Sequence, residues 1–324
     1  MKKHAIVAAL ALATSVAFSS TASAETVRLG VGADNSTSAY TNVYGPALKK
    51  EAAKVGIRIE FVHGGSVVNL ERLYNGEIDA ALAQGDVAVD MAAADEEFAE
   101  AVAPLGAIGS ESVLCAMKKT GRLTTWDAIV DDERPEKPFY VSAGSEGSGT
   151  RFTVNNVRRK VPNAESATRI YEPEKSTRAV KPTYDVGKEL ARLRSGRRDL
   201  VCEVMTPDPT RDKGFVHDVY IDDQLTFLTI DNDEVEKIRD KRGQNAYTIA
   251  DATIGGNIAM VYFGKGDKVR TIHTPVSVYV NLDSIDGKTM EKLQAIVQNP
   301  DLLPPDSPAG LAALAYRSAL NAVN

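Results

Sequence analysis

The feature that most constrains this chain is a piece of punctuation used twice. Leu73-Tyr-Asn-Gly-Glu-Ile-Asp79 and Leu193-Arg-Ser-Gly-Arg-Arg-Asp199 share one layout: an apolar helix residue, a glycine three positions on, two further residues, and an aspartate before an apolar run. Glycine just past the last periodic residue stops a helix, and a short apolar run after it reads as a strand. Around the first copy, residues 27–32, 57–62 and 78–83 read as strands, with helices over 43–55 and 67–74. Around the second, residues 139–142, 169–171 and 200–204 read as strands, with helices near 150–159 and over 186–194. Each βαβαβ run implies right-handed crossovers and a parallel sheet. The expected fold is α/β, in two lobes of similar topology, each a mainly parallel sheet flanked by helices.

Residues 112–118 and 276–282 are extended and apolar, each followed by a polar turn and a helix, over 125–130 and 288–297. They read as two crossover strands. Lobe one is then expected over 25–111 plus 270–324, and lobe two over 112–269, with an amphipathic helix over 307–323.

The N-terminus suggests a compartment. Lys2 and Lys3 precede an Ala-rich apolar stretch over 5–18, and Ala22-Ser23-Ala24 is a small-residue cleavage site. That is the layout of a secretory signal peptide over 1–24, with an apolar run too short to span a bilayer comfortably. No later segment is apolar enough for insertion, so a soluble periplasmic protein is expected. The chain carries 38 Lys and Arg against 44 Asp and Glu, for a net charge of −6. An acidic balance disfavours nucleic acid and anionic membrane surfaces as partners, but a locally positive pocket can still take a small anion.

Four segments at strand ends carry the chemistry. Gly64-Gly65-Ser66-Val67-Val68-Asn69-Leu70 opens a helix whose free N–H groups and partial positive charge suit an anion. Ser66 is also an ordinary N-cap. Gly144-Ser145-Glu146-Gly147-Ser148-Gly149-Thr150-Arg151 opens a second helix. Its glycines permit close backbone approach, Ser145, Ser148 and Thr150 supply hydroxyls, and Arg151 suits bidentate pairing with a carboxylate or phosphate. Ser36, Thr37, Ser38 and Tyr40 follow the first strand, and Gln84-Gly85-Asp86 ends the third. Open parallel sheets bind ligands at the carboxyl ends of their strands. The candidate ligand set is Ser36, Thr37, Ser38, Tyr40, Gly65, Ser66, Asn69, Gln84, Asp86, Ser145, Gly147, Ser148, Gly149, Thr150, Arg151 and Glu203. Asp86, Glu146 or Glu203 would hold an ammonium group if the ligand is an amino acid.

Together, Gly64–Leu70, the Gly76-to-Asp79 strand entry, Gln84-to-Asp86 and Gly147-to-Arg151 resemble the TAXI subfamily of solute receptors. These are type II periplasmic binding proteins that serve TRAP transporters. The first loop departs from the family's Gly-Gly-x-Tyr-Tyr run, having Ser38-Ala39-Tyr40-Thr41-Asn42. The resemblance implies a monomer that closes two lobes on a dicarboxylate or acidic amino acid such as glutamate, with membrane permease subunits as partners and no cofactor. It further implies that the first crossover strand inserts beside the third parallel strand of lobe two. That would make Cys115 and Cys202 neighbours and allow a disulfide; buried free thiols are the plain alternative.

Other classes share parts of this pattern. A phosphate or other oxyanion receptor shares the Ser-Gly-Thr loop, and a periplasmic sensor module would share the ligand chemistry. A serine hydrolase would use Ser145 with His217 or His273, but Gly147-Ser148-Gly149 intervenes where a nucleophile elbow needs its helix. The scattered histidines lack the paired spacing of a metal site, so neither an enzyme nor a metal protein is expected.

Overall fold

The computed structural model describes residues 25–34, 38–131, 137–171, 184–238, 246–256, 266–304 and 309–310. The expected signal peptide and nearly all of the expected C-terminal helix lie outside the described residues.

The first half begins with β1 (Glu25–Val31), a π-helical turn at Tyr40–Tyr44 and α1 (Gly45–Lys54). It continues through β2 (Ile57–His63), α2 (Ser66–Tyr74), β3 (Ala80–Gln84), α3 (Gly85–Ala94) and α4 (Glu96–Ala101) into the long β4 (Val102–Lys118). The second half carries α5 (Asp127–Val130), β5 (Phe139–Ala143), α6 (Gly149–Lys160), α7 (Ala164–Ala167), β6 (Thr168–Ile170), α8 (Val186–Arg194) and β7 (Leu200–Met205). Then come α9 (Phe215–Tyr220), β8 (Leu225–Phe227), α10 (Asp233–Glu236), β9 (Thr248–Gly255), β10 (Asp267–Asn281) and α11 (Gly287–Val297).

The ten strands form one sheet in the order β2-β1-β3-β10-β4-β7-β5-β6, with β8 on β4 and β9 on β10. Strands β1, β2 and β3 are parallel to one another, as are β5, β6 and β7. The two parallel groups are joined by β4 and β10, which run antiparallel to each other from one group to the other. This is the expected two-lobed α/β architecture with two crossover strands. On β4 the partner changes around Ser112, the last residue paired with β10 and the first paired with β7. On β10 the corresponding change falls between His273, the last residue paired with β9, and Val276, the first paired with β3.

The cores follow from strand alternation. In the first lobe, Val27, Leu29 and Val31 pack with Leu48, Val278 and Leu293 on one sheet face, while Leu70, Leu73, Ile78 and Phe98 cover the other. In the second, Val141, Val154, Val157 and Leu200 form one layer, and Leu190, Leu193, Val201 and Phe215 the opposite one. Cys115 stands directly opposite Cys202, with Cα atoms 4.0 Å apart, and the two are joined in a disulfide.

The duplicated punctuation has one geometry in both lobes. Gly76 and Gly196 have φ of 71° and 73°. The following N–H of Glu77 returns to Arg72 O at 2.9 Å, and that of Arg197 to Arg192 O at 2.9 Å, which satisfies a last-turn carbonyl in each helix. Each aspartate then anchors the neighbouring parallel strand. Asp79 accepts from Arg28 N at 2.8 Å and is paired with the Arg28 guanidinium; Asp199 accepts from Tyr140 N at 2.8 Å and is paired with Arg122.

Candidate functional site

The carboxyl ends of both parallel strand sets meet along a seam between the lobes. Two helix N-termini converge there, α2 from the first lobe and α6 from the second. Ser66 Oγ, 4 % exposed, accepts from Gln84 N at 3.2 Å and so fixes the start of α2 to the end of β3. Asn69 Nδ2 donates to Val31 O at 2.8 Å and ties the same helix to the end of β1. In the second lobe, Ser148 Oγ accepts from Arg151 N at 3.1 Å and donates to Ser145 O at 2.7 Å, capping α6. Thr150 Oγ1 accepts from Val204 N at 3.2 Å and joins α6 to β7.

Gln84 lies between the two helix starts. A Cβ at Gly149 would fall 1.7 Å from Gln84 Oε1 and 3.0 Å from Ser66 Oγ, so only glycine allows this approach. Gln84 is 2 % exposed, and its Oε1 has no hydrogen-bond partner. An unmet buried acceptor is costly, and this one stands beside Gly149, the first residue of α6.

The floor of the seam is acidic and contains residues that sequence reasoning missed. Glu111 sits on β4, buried, with Oε2 accepting from the Tyr40 hydroxyl at 3.0 Å. Burial pushes the Glu111 carboxyl up to about 8, opposed by hydrogen bonds from Tyr40 and Gln84 and reinforced by the Asp86 charge. Asp86 is also raised by burial, opposed by hydrogen bonds from Thr153, Tyr247 and Thr274. Tyr44 OH lies 2.9 Å from Thr206 Oγ1, which itself donates to Ser110 O at 3.1 Å. Thr206 has one hydroxyl proton, so Tyr44 is the donor to it. His273 Nε2 is 3.2 Å from Ala250 O and must donate, which leaves Nδ1 to accept from Ser112 Oγ at 3.3 Å. Burial drives His273 down to about 4, so it is neutral at pH 7. Among the described residues, the one Lys or Arg buried in the fold is Arg198, and it pairs with Glu189.

The structure therefore brings Tyr40, Gly65, Ser66, Asn69, Gln84, Asp86 and the Gly147–Thr150 loop to one seam, together with Glu111, Thr206, Tyr247 and Thr274. Ser38 lies beside them at the end of the β1 loop, near enough for its Oγ to accept from Thr41 N at 3.4 Å. Ser36 and Thr37 lie outside the described residues. Arg151 and Glu203 are not on the buried floor. Arg151 lines an open groove of about 450 Å³ at the mouth of the seam, with Val67, Ser148, Phe152 and Arg158, and its Nη1 is 3.5 Å from Tyr171 O. It is not part of the buried floor, because its position in the first turn of α6 carries the side chain outward past the loop. Glu203 shares the β7 face of Val201 and Met205, on the opposite side of the sheet from α6. Burial raises its carboxyl to about 7, with the Tyr184 hydroxyl opposing the shift.

His273 spends both ring nitrogens on Ser112 and Ala250, and His217 Nδ1 lies 3.4 Å from Asp218, so neither is hydrogen-bonded to Ser145. No cluster of three metal-ligating side chains occurs among the described residues, and no helix among them is long and apolar enough to cross a membrane.

No protein-family model matches the chain, and neither does any curated protein sequence. Among solved structures, the chain path is similar to the substrate-binding protein of an amino acid ABC transporter, at 13 % identity and a TM-score of 0.45 over 85 % of this chain and 93 % of that one. An ancestral arginine-binding protein bound to arginine matches at 14 % identity and a TM-score of 0.47, over 91 % and 97 % of the two chains. The AvGluR1 ligand-binding domain in complex with glutamate matches at 14 % identity and a TM-score of 0.45, over 86 % and 91 %.

Proposed function

We propose that this chain is a periplasmic solute-binding protein that closes its two lobes on a small carboxylate-bearing molecule and presents it to a membrane transporter. In this reading residues 1–24 are a cleaved leader, 25–111 with 270–324 form one lobe, and 112–269 form the other. The partner changes around Ser112 on β4 and between His273 and Val276 on β10 support that division. The observation that carries the ligand class is the side-by-side placement of the α2 and α6 N-termini, where a Cβ at Gly65 would fall 3.1 Å from Gly147 O and one at Gly149 3.0 Å from Ser66 Oγ. A carboxylate at their junction would collect N–H donors from both helix starts. Among the described residues no buried Lys or Arg stands beside Glu111; an ammonium group there would draw its raised carboxyl into the ionised form, which favours an acidic amino acid over a plain dicarboxylate. The resemblance in the Gly64-to-Asp86 motifs points to a TRAP-type permease as the receiver.

Thermal unfolding with L-glutamate, glutarate, inorganic phosphate, L-arginine and glucose tests the reading. A ligand of the folded state raises the melting temperature, by an amount equivalent to about 2.7 kcal/mol at a hundredfold excess over Kd. L-Glutamate is expected to give the largest shift and glutarate a smaller one. Shifts with glucose or L-arginine alone would overturn the ligand class.

A further inference from the structure

We infer that Asp86 is the latch that holds the two lobes together. The inference rests on the two-lobe reading but on no particular ligand. Asp86 is the second residue of α3 in the first lobe and is fully buried. Its Oδ2 accepts from Thr153 Oγ1 at 2.6 Å and from Tyr247 OH at 2.8 Å. Thr153 is on α6 and Tyr247 immediately precedes β9, so both donors come from the second lobe. Oδ1 accepts from Thr274 Oγ1 at 3.2 Å, on the crossover strand β10, and the Val87 N–H adds a backbone bond. A carboxylate has about four acceptor positions. All are occupied by the protein, so Asp86 has none left for a ligand's ammonium group.

The donors are themselves held in place. Asn156 Nδ2 donates to Tyr247 OH at 2.9 Å, and Asn156 stands one turn along α6 from Thr153. One helix therefore presents two arms to one carboxylate. Hydrogen bonds to an ionised acceptor in a water-poor site are the strong ones. By contrast, the exposed Lys160–Asp90 pair, at 3.9 Å across the same boundary, contributes little. Loss of the two second-lobe hydroxyls should release the lobes while each lobe keeps its own core.

Interlobe distance measured by electron paramagnetic resonance tests this. Spin labels on Lys50→Cys in α1 and Ala191→Cys in α8 occupy exposed helix positions in different lobes, and the native disulfide leaves no other thiol to label. The solute-free parent is expected to give one short distance distribution. Thr153→Val combined with Tyr247→Phe is expected to move it several ångström longer, with circular dichroism unchanged. Thr153→Ser, which keeps the hydroxyl, should retain the parent distribution. If the double variant is unstable, Asp86→Asn replaces it, because it retains the shape and loses charge and one acceptor. A distribution unchanged in the variants, or a solute-free parent already at the long distance, overturns the latch. The distances are read without solute, so failure of every compound in the thermal screen would refute the proposed ligand class and leave this result standing.

Discussion

At the scale of single residues, the seam shows what a buried carboxyl does to stability. Glu111 is held near 8 when folded, against 4.5 for an ordinary glutamate, with burial as the main cause. The folded state thus binds this proton more firmly than the unfolded state. The associated stability is complete below about pH 4.5 and is lost as pH rises through about 8. Glu203, at about 7, acts in the same direction. Urea unfolding of the parent and of Glu111→Gln at pH 5 and pH 8.5 isolates the effect. The parent should lose more stability between the two values than the variant does; equal losses would mean that Glu111 is solvated. Glu111 was not legible as a site residue, because the crossover strand was read over 112–118 and Glu111 falls just before it. A signal was nevertheless present. Ser110-Glu111-Ser112 stands at the head of that apolar run, and the register sets these three opposite Pro275, Thr274 and His273, just before the apolar run of β10. Polar residues that coincide in two otherwise apolar crossover strands mark the place where the strands pass through the seam.

At the scale of elements, most of the fold was legible because glycine and aspartate constrain the chain locally. The left-handed glycine is needed whatever packs above it, and the aspartate must meet the open edge of the next strand. Gly76→Ala and Gly196→Ala should each cost about 1 kcal/mol by urea unfolding, since a Cβ is disfavoured at positive φ. Equal stability would mean that these turns relax. Ser148→Ala should likewise cost about 1 kcal/mol, through the lost cap on α6. The same local rules explain what was missed. Strand β8 has three residues and α10 four, too short for any period to register. Tyr247 precedes β9, a strand the sequence reading did not assign, so its role at Asp86 was out of reach. Arg151 was expected in the cleft because its sequence position is right; helical geometry, set by the Ser148 cap, turns it to the mouth.

At the scale of the whole molecule, the disulfide bears on how independently the lobes stand. Cys115 lies on β4 and Cys202 on β7, 87 residues apart in sequence, and the intervening chain holds β5, α6, β6 and α8. The bond therefore closes a loop around most of the second lobe and leaves β1, β2 and β3 outside it. In the chain-entropy description, a loop of this length limits the unfolded ensemble by about 4–5 kcal/mol, with about 2–4 kcal/mol being the usual measured gain. Both sulfurs sit in the second lobe's core, at 4 % and 1 % exposure, so the pair also fills volume. Replacement of both residues by alanine should lower unfolding stability by roughly 2–4 kcal/mol. The loss should be local. Amide exchange is expected to quicken first in β5, β6 and β7, while β1–β3 keep their protection until global unfolding. Because Thr153 and Tyr247 belong to the stapled lobe and Asp86 to the other, a loosened second lobe should also weaken the seam, and the solute-free interlobe distance should broaden. A variant that loses protection uniformly across both lobes would instead show that the long strands β4 and β10 make the sheet a single cooperative unit.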